Sequence, residues 1–259
     1  MVRVRVVRHG GLRRRALRRR VLWGGGEVLV TVGVVLLLLV VHQVWWTNRE
    51  ARAGAEREVR ALERAWDGGG GDSGTAVPAA TAPPASTGSP EQPGGSRRRP
   101  AADPAPAPDW SQAYAILTIP RLHLRVPVAE GVSKGGVLDK GYVGHYPGTQ
   151  QPGQAGNFAL AGHRNTHGEP FRYINRLAPD DTVRVETSSA TYTYAVDRTL
   201  PRTAAHDGSV IRPIPRSTVR PGYGYDDPGH YLTLTTCTPE YTSKYRLVVW
   251  GTLVSMRPR

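Results

Sequence analysis

Tyr231-Leu-Thr-Leu-Thr-Thr-Cys-Thr-Pro-Glu-Tyr-Thr-Ser-Lys-Tyr-Arg246 is the stretch on which the fold turns. It holds Cys237, the one cysteine in 259 residues. Leu232 and Leu234 alternate with Thr233 and Thr235, the period-two pattern of a half-buried strand. Pro239 and the polar run to Lys244 interrupt that strand. Tyr245-Arg-Leu-Val-Val-Trp-Gly-Thr-Leu253 reads as the next one. Cys237 therefore falls where one strand ends, and Arg246 where another begins. A short hairpin connection brings thiol and guanidinium together, and a fixed positive charge beside a cysteine favours the thiolate. A lone cysteine also fits as a small buried hydrophobe. A nucleophilic one needs a histidine elsewhere in the sequence. His163 closes another apolar run, Asn157-Phe-Ala-Leu-Ala-Gly-His163.

Working outward, residues 109–259 carry the texture of a folded domain. Residues 114–120 and 122–128 are short β-type runs, and residues 158–161 are a strand that ends at Gly162-His163. Residues 131–148 are punctuated by glycine, with room for one helical turn around Val137-Leu-Asp-Lys140. Residues 170–177 read as a short helix, and residues 181–186 and 191–197 as a hairpin. Residues 208–229 are rich in Pro, Gly and Arg, with one short strand expected at 210–214. Roughly eight short strands separated by turns predict a closed β-barrel or a sandwich.

The rest of the chain divides by composition. The formal charge of +13 is uneven: residues 1–20 hold nine Arg and no acid. Strong basicity invites a nucleic-acid reading. The densest basic block adjoins an apolar run, however, so it reads better as a cytoplasmic flank (residues 1–27) under the positive-inside rule. Residues 28–46 contain no Asp, Glu, Lys or Arg. That length suits one crossing, for which about 20 residues are needed. Trp45 and Trp46 suit the far interface. A cleaved signal peptide is the competing reading, with small residues at Ala51-Arg-Ala-Gly-Ala55. The apolar run is long for one, which favours an uncleaved anchor. In residues 47–66, Val59, Leu62 and Trp66 recur at helical spacing. That apolar stripe is thin, so a solvated juxtamembrane helix is expected. Residues 67–108, rich in Gly, Ala and Pro, read as a flexible, disordered linker that buries too little apolar surface to order itself.

Three separated motifs carry a resemblance. Thr233-Leu-Thr-Thr-Cys237 matches the Thr-Leu-x-Thr-Cys signature of sortases, and Arg246 stands where the sortase arginine does. Asn157-Phe-Ala-Leu-Ala-Gly-His163 resembles the segment that ends in the sortase histidine. Gly144-His-Tyr-Pro-Gly-Thr149 and Gly162-His-Arg-Asn-Thr-His-Gly168 look like the class E sortases of high-GC Gram-positive bacteria. The resemblance covers about residues 109–256. It implies a mainly β fold, an eight-stranded barrel with short helices, as the catalytic domain (109–259). It implies a membrane-anchored cysteine transpeptidase with Cys237 as nucleophile, His163 as acid and base, and Arg246 as oxyanion or substrate-backbone donor.

The implied substrate is a surface protein with a C-terminal Leu-Ala-x-Thr-Gly-like or Leu-Pro-x-Thr-Gly-like signal, cut between Thr and Gly. The implied acceptor is a lipid-linked cell-wall precursor amine. The catalytic domain would lie outside a membrane crossed once, with the N-terminus in the cytoplasm. Tyr146 and Thr236 are expected to shape substrate binding and the site. His145 and His167 lie near the motifs and are weaker catalytic candidates. Asp226-Asp227 with Glu186 is too small an acidic set to call for calcium, so no metal or cofactor is expected; the membrane topology argues against nucleic acid as a partner. A plain cysteine peptidase, an inactive wall-binding module and a pilin-polymerising sortase are the alternatives. The chain stops at Arg259, just after the last strand, which favours the single-anchor, wall-attaching type.

Overall fold

The computed structural model describes residues 10–68 and 109–259. The basic residues 1–9 and the linker expected over 67–108, apart from Asp67 and Gly68, lie outside the described residues. Helix α1 runs Gly10–Gly68 and contains an apolar, unburied stretch long enough to cross a membrane. Eight strands follow: β1 (Ala113–Ile119), β2 (Leu124–Glu130), β3 (Val143–His145), β4 (Gly156–Ala161), β5 (Thr182–Thr187), β6 (Ala190–Ala204), β7 (His230–Thr238) and β8 (Tyr245–Pro258). They close into a barrel in the order β1-β2-β3-β4-β7-β8-β6-β5. Closure leaves no unpaired edge.

Most neighbours are antiparallel, but β2/β3 and β4/β7 are parallel. The barrel interior is filled by Leu117, Phe158, Leu160, Val183, Tyr194, Leu232, Leu234, Leu247 and Val249, all buried. Tyr231, Val248 and Trp250 point the other way and pack with Leu200, Val210 and Tyr225. β7 is thus buried on both faces between Tyr231 and Thr236 rather than half-buried. Residues 208–229 supply the outer cover.

That cover is held by polar bonds as well as packing. The Trp250 indole donates to the Val210 carbonyl at 3.1 Å. The Asp207 carboxylate accepts from Thr203 at 2.6 Å and Ser217 at 2.5 Å, and also from Ser209. Burial alone would raise the Asp207 carboxyl, but the three hydroxyls together hold it below the usual range.

Four local expectations change. The strand expected at 210–214 is instead a 3-10 turn, Gly208–Ile211, because Val210 is drawn against Trp250 and Pro213 and Pro215 follow. The helix expected at 170–177 is reduced to one 3-10 turn, Ile174–Arg176. β6 continues past Asp197 to Ala204, through Pro201, where the register with β8 shifts between Leu200 and Thr203. A bulge is where a strand tolerates proline. The juxtamembrane part of α1 is not solvated all round: Ala51, Ala55 and Val59 are buried against the barrel. The stripe of small side chains at four-residue spacing does the sealing.

Candidate active site

Pairing register places the three key residues. Along β7 and β8, Cys237 is the direct partner of Arg246. Along the parallel pair β4/β7, Ala161 is the partner of Thr235. His163 and Cys237 each lie two residues farther along their chains, so they leave neighbouring strand ends on the same side. His163, Cys237 and Arg246 therefore form a row across three adjacent strands. The row is braced between β4 and β7. Gly162 N–H donates to the Thr235 carbonyl at 3.1 Å. The Thr236 hydroxyl donates to the Gly162 carbonyl at 2.8 Å. Thr236 thus locks the strand that carries Cys237 to the residue before His163, and its side chain is buried.

Cys237 is free and partly exposed. The Arg246 Nη1 donates to the carbonyls of Ser243 at 2.8 Å and Tyr245 at 3.0 Å. Those bonds pin the guanidinium over the β7–β8 turn. Among the described residues its Nε and Nη2 have no acceptor. The Tyr146 hydroxyl bonds Thr235 at 3.0 Å, on the same β7 end.

His163 has a partner that motif reading missed. Its Nε2 lies 2.8 Å from Asp139 Oδ1, on the 3-10 turn Leu138–Lys140. His167 Nδ1 lies 3.6 Å from the same oxygen, and the two imidazoles are 5.4 Å apart. Donor atoms of Asp139, His163 and His167 lie within 4.8 Å of one another, a set able to hold a divalent cation. The short carboxylate–imidazole bond also orients the His163 ring.

His145 is no part of this row. It is buried, with Nδ1 at 2.7 Å from Glu130 and Nε2 at 2.9 Å from the Thr149 hydroxyl. Arg164 is a second residue that motif reading passed over. It is buried, and its Nη1 donates to the Cys237 carbonyl at 3.2 Å and the Thr238 hydroxyl at 2.9 Å. It sits beside His163 in sequence, which was the available signal.

Residues 117–254 match the family model described as the sortase domain. The chain belongs to the sortase family. It is 42% identical over 223 residues to Sortase SrtE1 of Streptomyces coelicolor, covering 84% of this chain and 53% of that one. The chain thus spans about half the length of that relative. It is 31% identical over 222 residues to Sortase SrtE2 of the same organism, covering 82% of this chain and 74% of that one. A crystal structure of Sortase E1 from Streptomyces coelicolor, with a tripeptide in the active site, superposes with a TM-score of 0.55. That match is 51% identical and covers 59% of this chain and 94% of the other. These likenesses place the chain with the class E sortases, in a family of cysteine transpeptidases.

Proposed function

We propose that the chain is a membrane-anchored transpeptidase that cuts a C-terminal sorting signal between Thr and Gly and joins the Thr carbonyl to a wall-precursor amine. The observation that carries this reading is the row of His163, just past the end of β4, Cys237 on β7 and Arg246 on β8. The related Sortase E1 structure holds a tripeptide in its active site, which supports a peptide substrate here.

Residues 109–259 form the catalytic domain, and residues 28–46 cross the membrane with residues 1–27 in the cytoplasm. The asymmetric arginine block supports that orientation. The Cys237 thiolate attacks the Thr carbonyl carbon, and the carbonyl oxygen takes up the charge. Arg246 donates to that oxyanion; its guanidinium stays charged and presents a rigid fork. The tetrahedral species collapses to a thioester as the C–N bond breaks, and His163 gives its proton to the departing Gly amine. An incoming amine then attacks the thioester, His163 takes a proton from it, and Cys237 leaves as thiolate. Asp139 steadies the imidazolium in each half-reaction. Tyr146 shapes the wall beside the nucleophile, and the buried Thr236 orients the strand that carries it.

The test uses the full chain in detergent micelles, with Leu-Ala-x-Thr-Gly and Leu-Pro-x-Thr-Gly peptides and a panel of amines. Mass spectrometry should find the Thr carbonyl joined to the amine. Product ending in a free Thr carboxylate alone, at every amine concentration, would make the protein a peptidase. Intact peptides throughout would end the proposal.

A further inference from the structure

The seam between α1 and the barrel lies against the two segments that carry Asp139 and His163. Its apolar part is built from Ala51, Ala55 and Val59, with Leu62 packed on Ala113, Ala129 and Val137. Small residues let the helix backbone come close. A Cβ at Gly141 would stand 2.9 Å from the Ala51 carbonyl oxygen. Gly141 ends the Leu138–Lys140 turn that bears Asp139, with φ +80°, a conformation that glycine adopts freely. The helix therefore rests directly on the turn that supplies His163 with its carboxylate.

The polar part of the seam grips the loop after His163. Gly168 N–H donates to Asn48 Oδ1 at 3.3 Å, and Arg52 Nε donates to the Gly168 carbonyl at 3.0 Å. Asn48 Nδ2 donates to Glu169 Oε1 at 3.0 Å, and Arg52 Nη2 to Glu169 Oε2 at 3.2 Å. Two helix side chains thus make four bonds to two consecutive loop residues. The loop needs them. His167 and Glu169 both have positive φ, 52° and 55°. Non-glycine residues hold such conformations only where their surroundings impose them.

The contacts continue to the nucleophile. The buried Glu169 accepts from Arg172 at 2.7 Å. Arg172 and Arg164 both reach Glu240, at 3.7 and 3.9 Å. Arg164 donates to the Cys237 carbonyl.

We propose that residues 48–62 of α1 are part of the catalytic scaffold, with Asn48 and Arg52 as positioning residues that set the His163 loop. The membrane anchor and the active site then form one rigid unit. The inference rests on the transpeptidase reading above. It differs from a tethered domain, in which the helix would touch nothing.

The experiment uses the full chain in micelles. Arg52→Ala, Asn48→Ala and Ala55→Glu are compared with wild type and with Arg60→Ala, whose side chain is exposed on α1. Thioester formation is measured against peptide concentration, and amide hydrogen exchange is followed over residues 163–172. The three seam variants should lower kcat by about ten- to a hundredfold, the size of effect that a small misplacement of catalytic groups produces. KM for the peptide should hold, since the helix touches no substrate, and exchange over 163–172 should quicken. Arg60→Ala should match wild type. Thermal unfolding reports whether the barrel is intact. If Ala55→Glu unfolds it, Arg52→Ala decides, because that side chain is mostly exposed and outside the barrel core. Wild-type kcat and exchange in Arg52→Ala and Asn48→Ala would overturn the proposal. A wild-type chain that fails to react would instead overturn the transpeptidase reading.

Discussion

At the scale of single residues, the proposed chemistry separates three side chains that stand in one row. Cys237→Ala removes the nucleophile, so no thioester can form, and any surviving turnover would overturn the assignment. Arg246→Ala keeps thiol and imidazole but loses a fixed oxyanion donor. Loss of one such donor elsewhere costs about 10²–10³ in rate. Arg246→Lys should recover little, because an ammonium lacks the fork that bonds Ser243 and Tyr245 while leaving donors for substrate. Near-normal transfer by Arg246→Ala would remove it from the site. Asp139→Asn tests the partner 2.8 Å from His163 Nε2. An amide cannot stabilise the imidazolium, so kcat should fall at least about tenfold, and far more if His163 then favours the wrong tautomer. His167→Ala keeps the short His163–Asp139 bond and should retain most activity. The reverse order of losses, measured as acyl-enzyme formation, would show that His167 is the working imidazole.

At the scale of elements, the neighbours differ in how far the sequence reveals them. The β7–β8 pairing was legible because alternating Leu and Thr end at Cys237 and only a short polar run separates them from Arg246. Both partners are local. The β4/β7 pairing is parallel and joins residues more than 70 apart, so periodicity cannot reveal it; His163 is legible only as the end of an apolar run and through the motif resemblance. β3 was missed because its three residues, Val143–His145, lie among glycines that read as turn. The seam of α1 was missed because two of its buried positions are alanines, which carry almost no hydropathic signal. Gly162 shows how tightly the His163 end of β4 is packed. A Cβ there would stand 2.7 Å from the Phe171 ring, and Phe171 is fully buried. Gly162→Ala should cost about 1–3 kcal/mol by overpacking and displace His163. Thermal unfolding and kcat check this, and adding Phe171→Leu should restore part of both; no recovery would place the fault elsewhere. Tyr142 reports on the α1 seam. Burial, then the nearby Glu58 carboxylate of α1, push its phenol up to about 12. The folded state keeps this proton after the unfolded chain releases it near about 10. The stabilisation is therefore complete below about pH 10 and lost as pH rises through the folded value. A phenolate absorbance titration should lose its step near about 12 in Tyr142→Phe. In Ala55→Glu, which pries the helix off, that step should move back toward about 10. A step unmoved in Ala55→Glu would mean that the helix does not shield Tyr142.

At the scale of the whole molecule, the two proposals give α1 two tasks, anchoring and positioning, that the composition of the chain would assign to separate parts. Its apolar stretch ends at Trp45 and Trp46, and its bonds to the His163 loop begin at Asn48. Two residues of helix are about 3 Å of rise. On the proposed reading, the docked helix holds the loop that carries His163 at the level of the interface, where a lipid-linked amine would present itself. A free tether would let the barrel roam; a docked helix fixes its height. Inserting seven alanines after Trp46 separates the two tasks. Seven residues raise the barrel by about 10 Å and turn the helix by almost two full turns, so the docking face returns to nearly its old direction. The contacts of Asn48, Ala51 and Arg52 move with the barrel and stay intact. Transfer of a cleaved signal peptide to a small soluble amine should therefore match wild type. Transfer to a lipid-linked amine in vesicles should fall, because the thioester now forms above the acceptor. Equal loss with both acceptors would mean that the insertion disturbs the site itself. Full transfer to the lipid-linked amine would mean that height above the membrane does not matter and that the linker, not the helix, sets the reach of the enzyme.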